Sequence, residues 1–128
     1  MKAILISNDL RTSRDVCFCL QVRYEDCIIG HTDSGNHGLE LVNIDTPEIV
    51  LIDSVLKDIS ILECIKRVRL ISDVGILCVS EERPELDIVE LLEAGVDDYI
   101  FKPVIPIEFL AKVRALLRLT RRQIEISP

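Results

Sequence analysis

The chain has 128 residues, with 15 Lys and Arg against 22 Asp and Glu, and a formal net charge of -7. This length allows one compact domain with a substantial core, but not two domains. The acidic balance argues against a domain whose own surface binds nucleic acid. The longest apolar runs are far shorter than the roughly 20 residues of a membrane helix. The start of the chain becomes polar too early for a signal peptide, so no membrane partner is expected.

Five short apolar runs along the chain predict the strands of a sheet. They cover residues 3–7, 27–31, 49–53, 75–80 and 98–102. The runs are continuous and do not alternate with polar residues, which is typical of parallel strands covered on both faces. The segments between them have helical spacing of apolar residues, as shown by two sets: Ser13, Val16, Cys17 and Leu20, then Ile61, Cys64, Ile65 and Val68.

Strand and helix therefore alternate five times, which predicts a doubly wound α/β domain with a parallel sheet. The fourth helix is predicted to begin at Pro84 and to end at Gly95, because proline favours the first turn and glycine the end of a helix. We assign residues 1–121 to the domain and residues 122–128 to a C-terminal tail or the start of a linker.

The five cysteines at positions 17, 19, 27, 64 and 78 form no CxxC pair. Most lie in apolar stretches, which favours buried reduced thiols in a cytoplasmic protein. Metal binding and disulfides are the alternatives that an odd number of cysteines leaves open.

Polar side chains stand at the carboxyl ends of the predicted strands, where doubly wound proteins bind their ligands. Asn8 and Asp9 follow the first strand, and Asp53 ends the third. Ser80 ends the fourth strand and Lys102 the fifth. Each residue alone has an ordinary explanation as a helix cap, a turn former or a solvated lysine. Their coincidence at one edge predicts a functional site.

These groups suit phosphoryl transfer. Asp9 and Asp53 can bind a hard divalent cation, for which Mg2+ is the natural candidate. A carboxylate beside the metal can act as the nucleophile and form an aspartyl phosphate. Lys102 would neutralise the phosphoryl charge, and Ser80 would donate a hydrogen bond to a phosphoryl oxygen.

Several stretches carry a family resemblance. They are residues 7–9, 49–53 and 78–80, and residues 94–103, which have the sequence Ala-Gly-Val-Asp-Asp-Tyr-Ile-Phe-Lys-Pro. The separations of 27 residues from Asp53 to Ser80 and 22 from Ser80 to Lys102 fit the same family. The sequence resembles the receiver domain of two-component response regulators, the CheY-like superfamily, over essentially its whole length. Residues 108–118 are similar to receivers of the winged-helix OmpR/PhoB-like subfamily.

The resemblance implies a flavodoxin-like (βα)5 fold with strand order 2-1-3-4-5. It implies that Asp53 is the phosphoacceptor and that Asp9, Asp53 and the backbone carbonyl of Val55 bind Mg2+, with Asn8 in the outer shell. It also implies a role for each residue near the phosphoryl group.

By the same resemblance Lys102 pairs with the phosphoryl group and its bond to Pro103 is cis. Ser80 moves toward the phosphate, and Tyr99 is the aromatic switch residue behind it. The switch acts on the face formed by the fourth helix, the fifth strand and the fifth helix.

The function implied is that of a signalling domain and not an enzyme. It takes a phosphoryl group from a sensor histidine kinase onto itself, loses it slowly, and controls a transcriptional output. DNA would be contacted only through a C-terminal output domain outside this chain. The alternative is a degenerate receiver that acts as a phosphorylation-independent interaction module. A nucleotide-binding or FMN-binding enzyme is poorly supported, because residues 8–14 contain no glycine to bring backbone amides to a phosphate.

The chain departs from the family pattern at three places. Asn8 stands where a second acidic residue is usual, which predicts weaker Mg2+ binding. Lys57 and Ile61 replace a proline and a glycine, so loop 54–60 is expected to take a different path. The resemblance also implies a possible homodimer through the fourth helix, fifth strand and fifth helix, held by ion pairs between the subunits. The third departure is that the fourth helix contains no Lys or Arg, and Ile88 stands about where a basic partner is expected. The interface candidates are Ile88, Asp97, Asp98, Glu108, Lys112 and Arg118.

Overall fold

The computed structural model describes residues 1–81 and 88–126, and the side chains of the last helix as far as Leu119. Strands and helices alternate along the chain. The strands are β1 (Lys2–Ile6), β2 (Ile28–Thr32), β3 (Ile49–Asp53), β4 (Gly75–Ser80) and β5 (Asp98–Phe101). The helices are α1 (Leu10–Arg23), α2 (Gly35–Asp45), α3 (Ile61–Ile71), α4 (Ile88–Ala94) and α5 (Pro106–Ile126).

The strands form one parallel sheet in the order β2-β1-β3-β4-β5, which confirms the predicted fold. β3 and β4 occupy the predicted residues. β1 begins and ends one residue earlier than predicted, β2 one residue later, and β5 ends one residue earlier. Because the strands are parallel, all five end at the same side of the sheet, which we call the carboxyl edge.

Two apolar layers cover the sheet. Alternate residues of β1 face them, with Ala3 and Leu5 in one layer and Ile4 and Ile6 in the other. The first layer packs against α1 and α5, and the second against α2, α3 and α4. This two-sided burial explains why the strands are continuously apolar.

The helix ends follow local sequence signals. Asp9, Ser34 and Ser60 are the N-caps of α1, α2 and α3. Gly95 follows α4 with a φ of 123°, a conformation that favours glycine. The predicted end of this helix at Gly95 therefore agrees with the structure, whereas its predicted start at Pro84 lies outside the described residues.

α5 continues to Ile126, so the predicted domain boundary at residue 121 falls inside this helix. The assignment of residues 122–128 to a tail stays a prediction. In the part of the chain that the structure describes, no helix has the length and apolar character needed to cross a bilayer.

We expect Phe109→Ala to lower the free energy of unfolding by roughly 3–5 kcal/mol, because it empties a fully buried position between α5 and the sheet. Ile107→Ala, on the same helix at a position 85% exposed, should change it by less than about 0.5 kcal/mol. Urea denaturation of both variants measures the difference. Equal losses in the two variants would contradict the assigned core.

Candidate functional site

The carboxylate of Asp53 is the centre of the carboxyl edge. Asp53 is the last residue of β3 and is completely buried. Its Oδ1 lies 2.8 Å from Lys102 Nζ and accepts a hydrogen bond of 3.0 Å from the Val55 amide. Its Oδ2 accepts a hydrogen bond of 2.8 Å from the Ser7 hydroxyl. A buried charge of this kind is stable only when it is paired and hydrogen-bonded, and here both oxygens have donors.

Asp9 is joined to the same ammonium group. Its Oδ2 lies 2.8 Å from Lys102 Nζ and accepts a hydrogen bond of 3.0 Å from Thr12 Oγ1. Its Oδ1 accepts from the amides of Arg11 and Thr12 at 3.1 and 3.4 Å, which caps α1. The hydrogen bond from Lys102, assisted by those from Thr12, lowers the pKa of Asp9 to about 2 despite partial burial. Asp9 is therefore ionised at neutral pH.

Lys102 lies between the two carboxylates and is 10% exposed at its side chain. Burial alone would lower the pKa of this ammonium, but the hydrogen bonds and charges of Asp53 and Asp9 outweigh it, so the net pKa is raised. The amide of Lys102 donates to the Ser80 carbonyl at 2.8 Å, and the Lys102–Pro103 peptide bond is cis. The predicted residues Asp9, Asp53 and Lys102 are thus in direct contact.

The donor set fits Mg2+, which prefers carboxylate and carbonyl oxygens and keeps several waters. Asp9 and Asp53 supply carboxylates beside the Val55 carbonyl, which accepts the Asn8 amide at 2.9 Å and has a second lone pair. The Asn8 side chain is exposed beside them. Among the side chains that the structure describes, those of residues 1–81 and 88–119, no three His, Cys, Asp or Glu form a metal cluster. An ion here would therefore use two carboxylates, a carbonyl and water.

Ser80 and Tyr99 lie on β4 and β5. Ser80 ends β4 at the carboxyl edge, is 1% exposed and pairs in register with Phe101. Tyr99 is half-buried, with its ring centroid 5.5 Å from that of Phe101 and 5.3 Å from Lys112 Nζ. Ser80 therefore lies at the same edge as Asp53. Tyr99 lies in β5, the strand beside β4, three residues before Lys102.

Three of the six interface candidates, Asp97, Asp98 and Lys112, form ion pairs within the chain. Asp97 Oδ2 lies 2.9 Å from an Arg69 guanidinium nitrogen and accepts the Ile76 amide at 2.7 Å. Asp98 Oδ1 is 3.4 Å from Lys112 Nζ. The three remaining candidates are Ile88, which is half-buried, and Glu108 and Arg118, which are exposed. Asp97 in particular joins α3 to β4, a role that spacing alone did not indicate.

Asp58 was missed by sequence reasoning. It lies in loop 54–60 and accepts hydrogen bonds from Ser34 Oγ at 2.7 Å and from the amides of Gly35 and Asn36 at 2.7 and 3.2 Å. The hydrogen bond from Ser34, followed by those from the amides, holds the pKa of Asp58 well below its usual range. An added Cβ on Gly35 would come within 2.5 Å of Ile59 Cγ1, so glycine permits the close approach of loop and helix. No local motif marks this contact, because its partners are more than 20 residues apart.

Ser7 was also passed over as a site residue, although its position before Asn8 and Asp9 was a usable signal. The residue after a parallel strand lies beside the corresponding residue of the neighbouring strand, and Ile6 pairs with Ile52. Ser7 therefore lies beside Asp53.

All five cysteines are free, and Cys19, Cys64 and Cys78 are buried. Burial raises the pKa of Cys64 and of Cys78 to about 12, so both are thiols at neutral pH. This agrees with the prediction of reduced, mostly buried cysteines.

Known proteins share both this sequence and this fold. Residues 4–114 match the family described as the response regulator receiver domain. The transcriptional regulatory protein BaeR of Escherichia coli is 34% identical over 104 residues, which is 81% of this chain and 42% of that protein. The transcriptional regulatory protein AfsQ1 of Streptomyces coelicolor is 33% identical over 90 residues, 70% of this chain and 40% of that protein. The crystal structure of a CheY-like receiver domain protein from Methanospirillum hungatei JF-1 superposes with a TM-score of 0.84 at 21% identity, covering 95% of this chain and 97% of that one.

The chain belongs to the response regulator receiver domain family, the signalling domains of two-component systems. This confirms the resemblance drawn from residues 94–103 and from the ends of the strands. The chain spans about two-fifths of the length of the curated relatives it matches, both of which are named as transcriptional regulators.

The lowered pKa of Asp9 predicts a loss of stability in acid. A carboxyl with a pKa of about 2 when folded, against about 3.9 when unfolded, stabilises the folded state above pH ~4 and loses this contribution as the pH falls toward 2. We expect the thermal midpoint in chelator-containing buffer to fall less steeply for Asp9→Asn than for the unsubstituted chain between pH ~4 and ~2. Asp26→Asn, at an exposed aspartate, serves as the control and should keep the original slope. Equal slopes in all three proteins would contradict this account.

Proposed function

We propose that this domain accepts a phosphoryl group on Asp53 from a sensor histidine kinase and that Mg2+ assists the transfer. The observation that carries the proposal is the buried Asp53 carboxylate, which shares one ammonium group, Lys102 Nζ, with Asp9 at 2.8 Å from each. A buried carboxylate, a neighbouring carboxylate and a fixed cation at the end of a parallel sheet are the groups that phosphoryl transfer to a side chain requires.

Different residues of the site would orient the Asp53 carboxylate and neutralise the phosphoryl charge. The Val55 amide and the Ser7 hydroxyl orient the Asp53 carboxylate from its two oxygens. Lys102 is held near both carboxylates and can neutralise charge on an incoming phosphoryl group. Bound Mg2+, held by Asp9, Asp53 and the Val55 carbonyl, would supply further charge neutralisation.

The output proposed is a change on the face formed by α4, β5 and α5. Ser80, at the end of β4, would donate a hydrogen bond to the phosphoryl group, and Tyr99 would respond on the next strand. Relatives named as transcriptional regulators support a transcriptional output through a further domain. We also propose a cytoplasmic location and a phosphorylation-dependent homodimer, in which Glu108, Arg118 and Ile88 are the candidates without a described internal ion pair.

A second candidate function is that of a receiver whose output does not depend on phosphate. Two observations favour it: Asn8 stands where the family usually has a carboxylate, and Lys102 already pairs with both Asp9 and Asp53. A metal ion would then have to compete with a bound ammonium group while having fewer acidic ligands.

Incubation with a small acyl phosphate and Mg2+ distinguishes a phosphoaccepting receiver from one whose output does not depend on phosphate. We expect one phosphoryl adduct in the intact mass, absent from Asp53→Asn and absent when Mg2+ is removed with a chelator. Asp73→Asn, at an exposed aspartate between α3 and β4, should keep the adduct. A chain that stays unmodified with both a small donor and a cognate kinase would overturn the first function.

Restoring the missing carboxylate should strengthen metal binding. We expect Asn8→Asp to bind Mg2+ at least several-fold more tightly, because a carboxylate is a stronger partner than an amide for Mg2+ and its waters. Isothermal titration calorimetry measures the affinity, and Asn43→Asp, an exposed position on α2, controls for the added charge. Equal affinities of Asn8→Asp and Asn43→Asp would count against the assigned metal position.

A further inference from the structure

The Ser7 hydroxyl is committed to the Asp53 carboxylate. Ser7 is 1% exposed, and its hydroxyl lies 2.8 Å from Asp53 Oδ2 but 3.4 Å from the main-chain carbonyl of Asp9. A hydroxyl has one proton to donate, so the shorter contact is the hydrogen bond that it makes. Asp53 Oδ2 therefore has a neutral donor of its own, distinct from the Lys102 and Val55 groups on Oδ1.

The position of this hydroxyl is fixed by its surroundings. Ser7 Oγ accepts a hydrogen bond of 3.1 Å from the Asp9 amide. The Ser7 amide donates to the Thr32 carbonyl at 2.9 Å, and the Ser7 carbonyl accepts from His31 Nε2 at 3.2 Å. Because β1, β2 and the turn before α1 all hold Ser7, its donor points at Asp53 without further reorganisation.

We propose that Ser7 sets the lifetime of the phosphorylated state by stabilising the free Asp53 carboxylate. The inference rests on the proposed function, in which Asp53 is the phosphoacceptor. A hydrogen bond to an ionised acceptor is roughly twice as strong as one to a neutral acceptor. Phosphorylation turns the carboxylate into a neutral acyl group, so the Ser7 bond is stronger before phosphorylation than after it.

Phosphorylation of Asp53 removes the negative charge of its carboxylate, and hydrolysis of the aspartyl phosphate restores it. In phosphorylation, a carboxylate oxygen of Asp53 bonds to phosphorus while the P–O bond to the donor breaks and the donor leaves with the electron pair. In hydrolysis, a water oxygen bonds to phosphorus, the Asp53 O–P bond breaks, and the products are the carboxylate, inorganic phosphate and one proton released to solvent. Ser7 therefore slows the first reaction and accelerates the second, whichever carboxylate oxygen reacts.

A matched pair of substitutions tests this role. Ser7→Thr keeps the hydroxyl, while Ser7→Val has nearly the same shape without it, and Ser7→Ala removes the hydroxyl with no added volume. We expect the phosphoryl group of Ser7→Val and Ser7→Ala to last about 3- to 10-fold longer than in the unsubstituted chain. Ser7→Thr should keep the original half-life. The half-life is followed by intact mass after the donor is removed by desalting with Mg2+ retained.

A second measurement needs neither phosphate nor metal. In chelator-treated protein labelled with 13C at aspartate carboxyls, the Asp53 resonance should shift in Ser7→Val and Ser7→Ala and stay in place in Ser7→Thr. Unfolding would also remove the site groups that promote hydrolysis, so the thermal midpoint of each variant is measured alongside the lifetime. Only variants that are folded at the assay temperature enter the comparison.

The outcomes separate the two proposals. If the unsubstituted chain forms no adduct at Asp53, the proposed function fails, and the lifetime role of Ser7 falls with it. If the adduct forms but Ser7→Val and Ser7→Ala lose it at the original rate, or Ser7→Thr changes as much as Ser7→Val, only the Ser7 proposal is overturned. An unshifted carboxyl resonance in the variants lacking the hydroxyl would also overturn it.

Discussion

The placement of the Asp53 carboxylate at the end of a strand buried on both faces constrains the rest of the carboxyl edge. An isolated charge in that position would cost far more than the marginal stability of a small domain. The site meets this cost by surrounding the carboxylate with donors from three different elements: the end of β1, the loop after β3 and the residue after β5. The chemistry and the stability of the edge are therefore set by the same few contacts. For this reason the groups that suit phosphoryl transfer are also groups that a folded state requires.

Lys102 illustrates how one side chain serves both purposes. It bridges Asp9 and Asp53 at 2.8 Å, so its positive charge reduces the repulsion between two neighbouring carboxylates. The same ammonium is the cation with which any metal ion at this edge must share its ligands. An added metal would rearrange existing ionic contacts instead of filling a neutral cavity. Asn8 reduces the negative charge available for that exchange.

Sequence patterns were sufficient to predict the fold because each strand is a continuous apolar run. The bounds of β3 and β4 were predicted to the residue, and the parallel topology then brought Asp9, Asp53, Ser80 and Lys102 to one edge. Contacts that depend on three-dimensional register were not predictable in the same way. Ser7 required the pairing of β1 with β3, and the Asp58 contact required the approach of a loop to α2. The partner of Asp97 was missed since Arg69 lies on a helix 28 residues away.

Strand β5 lies at the edge of the sheet, and the main-chain amide and carbonyl of Tyr99 are hydrogen-bonded to side chains. The Tyr99 amide donates to Asp98 Oδ1 at 2.8 Å, and its carbonyl accepts from Lys112 Nζ at 2.7 Å. Edge strands with free main-chain groups invite another strand to extend the sheet, and charged side chains are a common protection. At Tyr99 both groups are satisfied by side chains of the same chain. A second molecule that binds this face would therefore contact it through side chains. A continuous intermolecular sheet could form at Tyr99 only after the Asp98 and Lys112 hydrogen bonds are broken.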